Sequence, residues 1–174
     1  MDRTRRAVVL GFILFGASDA RAAVWAVNGA GCIPDDITIY ARRYDTINGA
    51  VTFGTGMNTP ITLYCPIATA PSCPSNYRLR LTYQDSDGTS GQAGVTAQLM
   101  RRSQANGSVQ SAVPGAQVSS NSSNATGPTN QASPAFEHDF SQLTDYYFVR
   151  VDMNRYVTAS GIATFYGVAL ECSE

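Results

Sequence analysis

The chain holds one histidine, His138, set in Phe136-Glu137-His138-Asp139-Phe140. In an extended segment residues two apart share a face, so His138 lies with Phe136 and Phe140 while Glu137 and Asp139 point away. That spacing denies the cluster a local metal site or His–Asp pair. Without a second histidine, metal centres built on two or three imidazoles are excluded. All 12 basic residues are arginine, which excludes Schiff-base, Ser–Lys and phosphate-loop lysine chemistry. No Gly-x-Ser-x-Gly elbow, Cys-x-x-Cys pair or Gly-rich phosphate fingerprint occurs. No catalytic residue is assigned.

Carboxylates remain. Asp85-Ser86-Asp87-Gly88 alternates acids ahead of a glycine, as half of a calcium loop does, and makes Asp85 and Asp87 candidate metal ligands. The complete calcium-loop spacing is missing, and Asp and Gly are also ordinary turn formers. Calcium is the one cofactor left open. Asp35-Asp36 offers a further acid pair. A hydrolase would need two acids facing across a cleft, about 5–9.5 Å apart, and nothing in the pattern marks such a pair. Sugar binding needs less, a row of exposed rings. The chain has 9 Tyr, 7 Phe and 1 Trp. On a strand, Tyr146-Tyr147 and Phe165-Tyr166 each place one ring on either face.

Cys32, Cys65, Cys73 and Cys172 are an even set with spacing unsuited to a four-thiolate zinc site. Behind an export signal they read as two disulfides. Of three pairings, the first choice is Cys65–Cys73 with Cys32–Cys172. Cys32–Cys65 with Cys73–Cys172 comes second.

The export signal is residues 1–22, with Arg3, Arg5 and Arg6 at the start, an apolar run from Ala7 to Ala17, and Ala20-Arg21-Ala22 before a cut at Ala23. The run gives about 16 Å of helix, half of what a membrane span needs. Losing four Arg and two Asp takes the net charge from -1 to -3, which excludes a dominant nucleic-acid surface. The expected location is secreted, extracellular or periplasmic, with no transmembrane segment.

The elements that must position these residues are strands. Tyr77 to Tyr83 alternates, with Tyr77, Leu79, Leu81 and Tyr83 on one face and Arg78, Arg80 and Thr82 on the other. Tyr146 to Met153 buries Tyr147, Val149, Val151 and Met153 by the same rule. Further strands are expected at Ile37-Tyr40, Ala50-Phe53, Ile61-Tyr64, Val95-Arg102, as the return arm of a hairpin, and Gly161-Glu171. Ser108-Val113 is a short addition. No stretch sustains helical periodicity. About seven to nine short strands read as an all-β, disulfide-braced β-sandwich over 23–174, with immunoglobulin-like or jelly-roll connectivity. Residues 103–134, rich in Ser, Asn, Gln and Gly, are expected as a polar flexible loop. They contain Asn-x-Ser/Thr matches at Asn106, Asn121 and Asn124. Trp25, Val24 and Val27 follow the cleavage site and are candidate interface residues for pairing with a neighbouring subunit. The plainer reading is an edge strand.

Cys32-Ile33-Pro34, Cys65-Pro66-Ile67, Tyr83-Gln84-Asp85, Tyr146 to Val151 and Gly161-Ile162 to Val168 follow one another in an order that resembles a group of short exported bacterial proteins of unassigned function. Other members carry a Cys where this chain has Val151. The resemblance implies export and a β fold, and it brings no activity or ligand.

Together these features lead first to an exported, non-catalytic structural or adhesive protein, including a self-assembling extracellular subunit that forms a homo-oligomer by strand addition. A carbohydrate- or calcium-dependent binding module, with a glycan as partner, is the alternative. An exported hydrolase using carboxylates comes third.

Overall fold

Period-2 burial governs Ile61–Ile67, Asn76–Asp85 and Asp145–Arg155. The computed structural model describes residues 23–35, 43–69, 72–74, 76–107, 110–156 and 161–173. The signal segment 1–22, Asp36 and the strand expected at Ile37-Tyr40 lie outside them. In chain order the strands are β1 (Ala23–Asn28), β2 (Ile33–Pro34), β3 (Tyr44–Ile47), β4 (Ala50–Phe53), β5 (Ile61–Ile67), β6 (Asn76–Asp85), β7 (Ala93–Ser103), β8 (Gln110–Ser119), β9 (Thr129–Ala132), β10 (Asp145–Arg155) and β11 (Ala163–Ser173). Three single-turn 3-10 helices interrupt them. Eleven strands exceed the seven to nine expected because the short strands β2, β3 and β9 carry little apolar signal.

Two antiparallel sheets result. One orders β3-β4-β11-β6-β9, with β1 also pairing to β11, and the other orders β2-β5-β10-β7-β8. The pairs β4:β11, β5:β10, β6:β9 and β7:β8 nest one inside the next along the chain. The chain is one long hairpin, folded over so that β6 also meets β11 and β7 meets β10. That nesting is jelly-roll connectivity, and it decides between the two sandwich topologies left open by the sequence. It also corrects the hairpin expected between β6 and β7, which lie in opposite sheets.

Local chemistry fixes the details. Asn48 and Gly49 take φ of 51° and 83° and join β3 to β4 with Ile47 opposite Ala50, a two-residue turn that needs residues tolerant of positive φ. Leu79, Leu81 and Tyr83 of β6 and Val149, Val151 and Met153 of β10 belong to one core with Leu63, Leu99, Phe165 and Leu170. Burying side chains of this size contributes about 1.5–3 kcal/mol each. The opposite residues of β6, Arg78, Arg80 and Thr82, stay half-exposed, as the alternation requires.

The disulfides are Cys32–Cys65 and Cys73–Cys172, which corrects the first-choice pairing. Topology is the reason. β2 lies beside β5, which brings Cys32 to Cys65, whereas Cys172 on β11 sits opposite Tyr77 at the start of β6, next to Cys73.

The flexible loop expected over 103–134 is corrected as well. Its residues supply β8 and β9, each an edge strand of one of the two sheets. Val113, Ala116 and Val118 are buried, and so are Ser120 and Ser133. The polar side chains serve the backbone. Gln98 Nε2 donates to the carbonyls of Leu99, Val113 and Ala116 (3.1, 3.1 and 3.0 Å) where β8 bulges. Ser120 Oγ accepts from Val95 N (3.0 Å) and Ser133 Oγ from Leu79 N (3.1 Å). A polar segment can order itself when its side chains replace water at buried amides.

Candidate ligand-binding groove

Alternation in β10 sends Tyr147 into the core and leaves Tyr146 and Phe148 on the outer face of the second sheet. Tyr64 of β5 shares that face. Tyr64 and Phe148 meet edge to face, with centroids 5.5 Å apart and planes at 78°. Tyr146 stands beyond them with 61% of its surface exposed. The pairing register sets three cross-strand rows: Ile33, Tyr64, Arg150 and Gln98; then Pro66, Phe148, Met100 and Ala112; then Tyr146, Arg102 and Gln110. The aromatic strip therefore climbs diagonally across the strands. Because two of its rings stand at right angles, it forms the wall of a groove rather than a coplanar row.

Two hollows flank Tyr146. The larger, about 470 Å³, is lined by Asp35, Tyr64, Arg102, Gln110, Tyr146 and Phe148. The smaller, about 310 Å³, lies on the other side, against Pro66, Gln104, Gln142 and Asp145. Both volumes fall in the range of small-molecule sites. Five strands about 4.8 Å apart give the face a width of roughly 19 Å, room for a short chain of sugar rings. At the lower edge Arg150 is tied to Asp152 (2.9 Å), whose carboxylate also accepts from Thr62 Oγ1 (2.7 Å). The hydrogen bond to Asp152 holds the Arg150 pKa above its ordinary value. The Arg102 side chain, by contrast, makes no hydrogen bond or ion pair with any described residue.

Sequence reasoning did not single out Arg102, Gln110 or Tyr64. The usable signal was the outward parity of Tyr146 and Phe148 on one strand. What could not be read was that β5 brings Tyr64 beside them.

Asp85 and Asp87, the candidate metal ligands, sit at the other end of the fold in a polar knot. Asp85 is fully buried. It accepts from Ser120 Oγ and from Asp87 N (3.3 Å), and, with the Asn121 amide turned so that its nitrogen faces the acid, from Asn121 Nδ2 (3.2 Å). Burial, reinforced by the neighbouring Asp87 carboxylate, pushes its pKa up to about 6. Burial acts on Asp87 in the same sense. There, however, hydrogen bonds from Asp85, Ser90 and the Ala93 and Gln92 amides outweigh it and hold the pKa below the ordinary value. The knot ties the β6–β7 turn to the segment after β8. Asp87 Oδ2 accepts from Ser90 Oγ and from the Gln92 and Ala93 amides. Among the described residues the buried Asp87 Oδ1 has no hydrogen-bond partner, and no group of three or more His, Cys, Asp or Glu converges.

His138 packs among rings, 4.9 Å from Phe140 and 5.4 Å from Tyr147 by centroid. Burial, with Arg101 nearby, lowers its pKa. Trp25, Val24 and Val27 lie on β1, which pairs with β11 of its own chain, and all three pack against the core.

No protein-family model matches the chain. No curated protein matches its sequence. Among solved structures it is similar to a family two carbohydrate esterase from Cellvibrio japonicus, at 10% identity and a TM-score of 0.42, over 86% of this chain and 33% of that one. It is also similar to a xylan-binding module, CBM15, at 13% identity and a TM-score of 0.42, over 75% of this chain and 82% of that one. The chain thus spans about a third of the esterase. Likeness at this level carries no argument about ligand or activity.

Proposed function

We propose that the protein is an exported, non-catalytic adhesive module that holds an extended glycan across the outer face of its second sheet. The observation that carries this is Tyr146, a large ring left in solvent between two hollows and continuous with Phe148 and Tyr64. Sugar rings present faces of C–H groups that pack on aromatic rings, while their hydroxyls suit carboxylate, amide and guanidinium partners. Asp35, Gln110 and Arg102 supply those at the rim. The acids of the two hollows, Asp35 and Asp145, stand on opposite sides of Tyr146, and Asp152 is held by Arg150 and Thr62. That arrangement favours binding over carboxylate hydrolysis. Two disulfides suit an oxidising compartment.

Affinity electrophoresis against soluble plant, bacterial and animal polysaccharides tests the reading. At least one is expected to retard the protein, with Tyr146→Ala abolishing retardation. Failure of the whole panel, or binding indifferent to both Tyr146→Ala and Phe148→Ala, overturns it.

A further inference from the structure

The charges around the groove are distributed unevenly, and the unevenness bears on what it holds. Among the described arginines, Arg78 donates to Ser173 Oγ (3.2 Å), Arg80 pairs with Glu171 (2.6 Å), Arg101 donates to Ser111 Oγ (3.0 Å) and Arg150 pairs with Asp152. Arg155 lies over the Phe53 ring, 5.8 Å from its centroid, and Arg43 is also engaged. Arg102 alone has no partner. It is exposed, and it stands in register between Tyr146 and Gln110, on the wall of the larger hollow. The hollow's acid, Asp35, follows β2 at the opposite edge of the sheet. The larger hollow is therefore polar along its length, cationic at the β7–β8 end and anionic at the β2 end.

Resting on the glycan reading, we propose that the ligand is an acidic glycan whose uronate carboxylate is taken by Arg102 and Gln110. The planar guanidinium fork matches a planar carboxylate, and a charge-assisted hydrogen bond is about twice as strong as a neutral one. The Gln110 amide adds a neutral donor beside it. Tyr146, next in the row, packs the face of the same sugar ring. At the far end the Asp35 carboxylate repels a second acid and accepts from hydroxyls. The ligand is thus oriented, with an uronate over β7–β8 and a neutral, hydroxyl-bearing unit over β2–β5. The net charge of the whole chain, -1, gives no general attraction for polyanions. The preference is local to this arginine.

Isothermal titration with uronic-acid oligosaccharides and their methyl esters, identical but for the charge, tests the assignment. Galacturonate and glucuronate series serve as probes. The acid is expected to bind about tenfold tighter than its ester, with the margin shrinking as salt is raised. Arg102→Ala removes the margin and leaves ester binding in place. Arg101→Ala, which alters the neighbouring arginine on the other face of β7, keeps it. Equal affinity for acid and ester, lost on Tyr146→Ala, overturns the acidic-ligand assignment and leaves the glycan groove standing. A sulfated oligosaccharide that outcompetes the uronate through Arg102 overturns the carboxylate assignment. Absence of binding to both acid and ester series and to the neutral panel overturns the groove reading and this inference with it.

Discussion

The outer faces of the two sheets have similar building blocks and opposite states. On the β4-β11-β6-β9 face the polar groups are spent on one another. Arg80 holds Glu171 and Asn130, Arg78 holds Ser173, and Tyr166 donates to Gln84 Oε1 (3.2 Å). On the β5-β10-β7-β8 face the same economy stops at Arg150 and Asp152, and beyond that line Tyr146, Arg102 and Gln110 are left open. A surface whose donors and acceptors already face each other gains little from a ligand. One whose aromatic and cationic groups are unpaired can gain from it. The difference identifies the groove more firmly than its volume does.

If the comparison holds, changes on the satisfied side move stability and spare binding, and changes on the open side do the reverse. The largest expected effect is on the first side. Cys73→Ala with Cys172→Ala opens a loop of 99 residues and costs about 5 kcal/mol on the chain-entropy model, read by denaturant unfolding. Groove affinity in the surviving folded fraction stays within twofold, and a large loss there breaks the comparison.

Next is the buried acid. The folded pKa of Asp85 is raised from 3.8 to about 6, so the folded state binds its proton more tightly than the unfolded chain does. Its contribution is fully present below pH 3.8 and is lost as pH rises through about 6. Unfolding free energy should fall by up to about 3 kcal/mol across that window. Asp87, shifted downward, works oppositely at lower pH, since its contribution is lost as pH falls through its folded pKa. Asp85→Asn flattens the upper limb. A limb unchanged in that variant overturns the assignment.

On the open side, Tyr146→Ala should weaken glycan binding about tenfold or more while unfolding shifts by less than about 0.5 kcal/mol. The smallest effect is Glu171→Gln, which loosens Arg80 on the satisfied face and costs about 1 kcal/mol. Its titration curve should overlay that of the parent protein.

Much of the frame was legible because burial on both sheets follows parity. Tyr77, Leu79, Leu81 and Tyr83, and the set from Tyr147 to Met153, lie inward as the alternation demanded. What parity cannot report is which strand lies beside which. The cysteine partners, the separation of β6 from β7 and the approach of Tyr64 to Phe148 all depend on long-range pairing. The stretch 103–134 misled for a different reason. Composition counts Ser, Gln and Asn as solvent-seeking, whereas Ser120, Ser133 and Gln98 bind main-chain groups inside the fold.

The nested pairing has a temporal consequence. Contacts between partner strands join residues 10 apart at Arg101–Ser111, 54 at Leu79–Ser133, 90 at Thr62–Asp152 and 112 at Thr52–Thr164. Each inner pair, once closed, shortens the chain that the next must span, so loop-closure cost orders the events from β7:β8 outward. β11 arrives last and is the partner of β1, β4 and β6 together. Until it does, three strands keep bare edges, and the first sheet has no middle. During synthesis the half-built molecule is therefore an open strip rather than half a sandwich, and the Cys73–Cys172 bond can record only a chain that has closed.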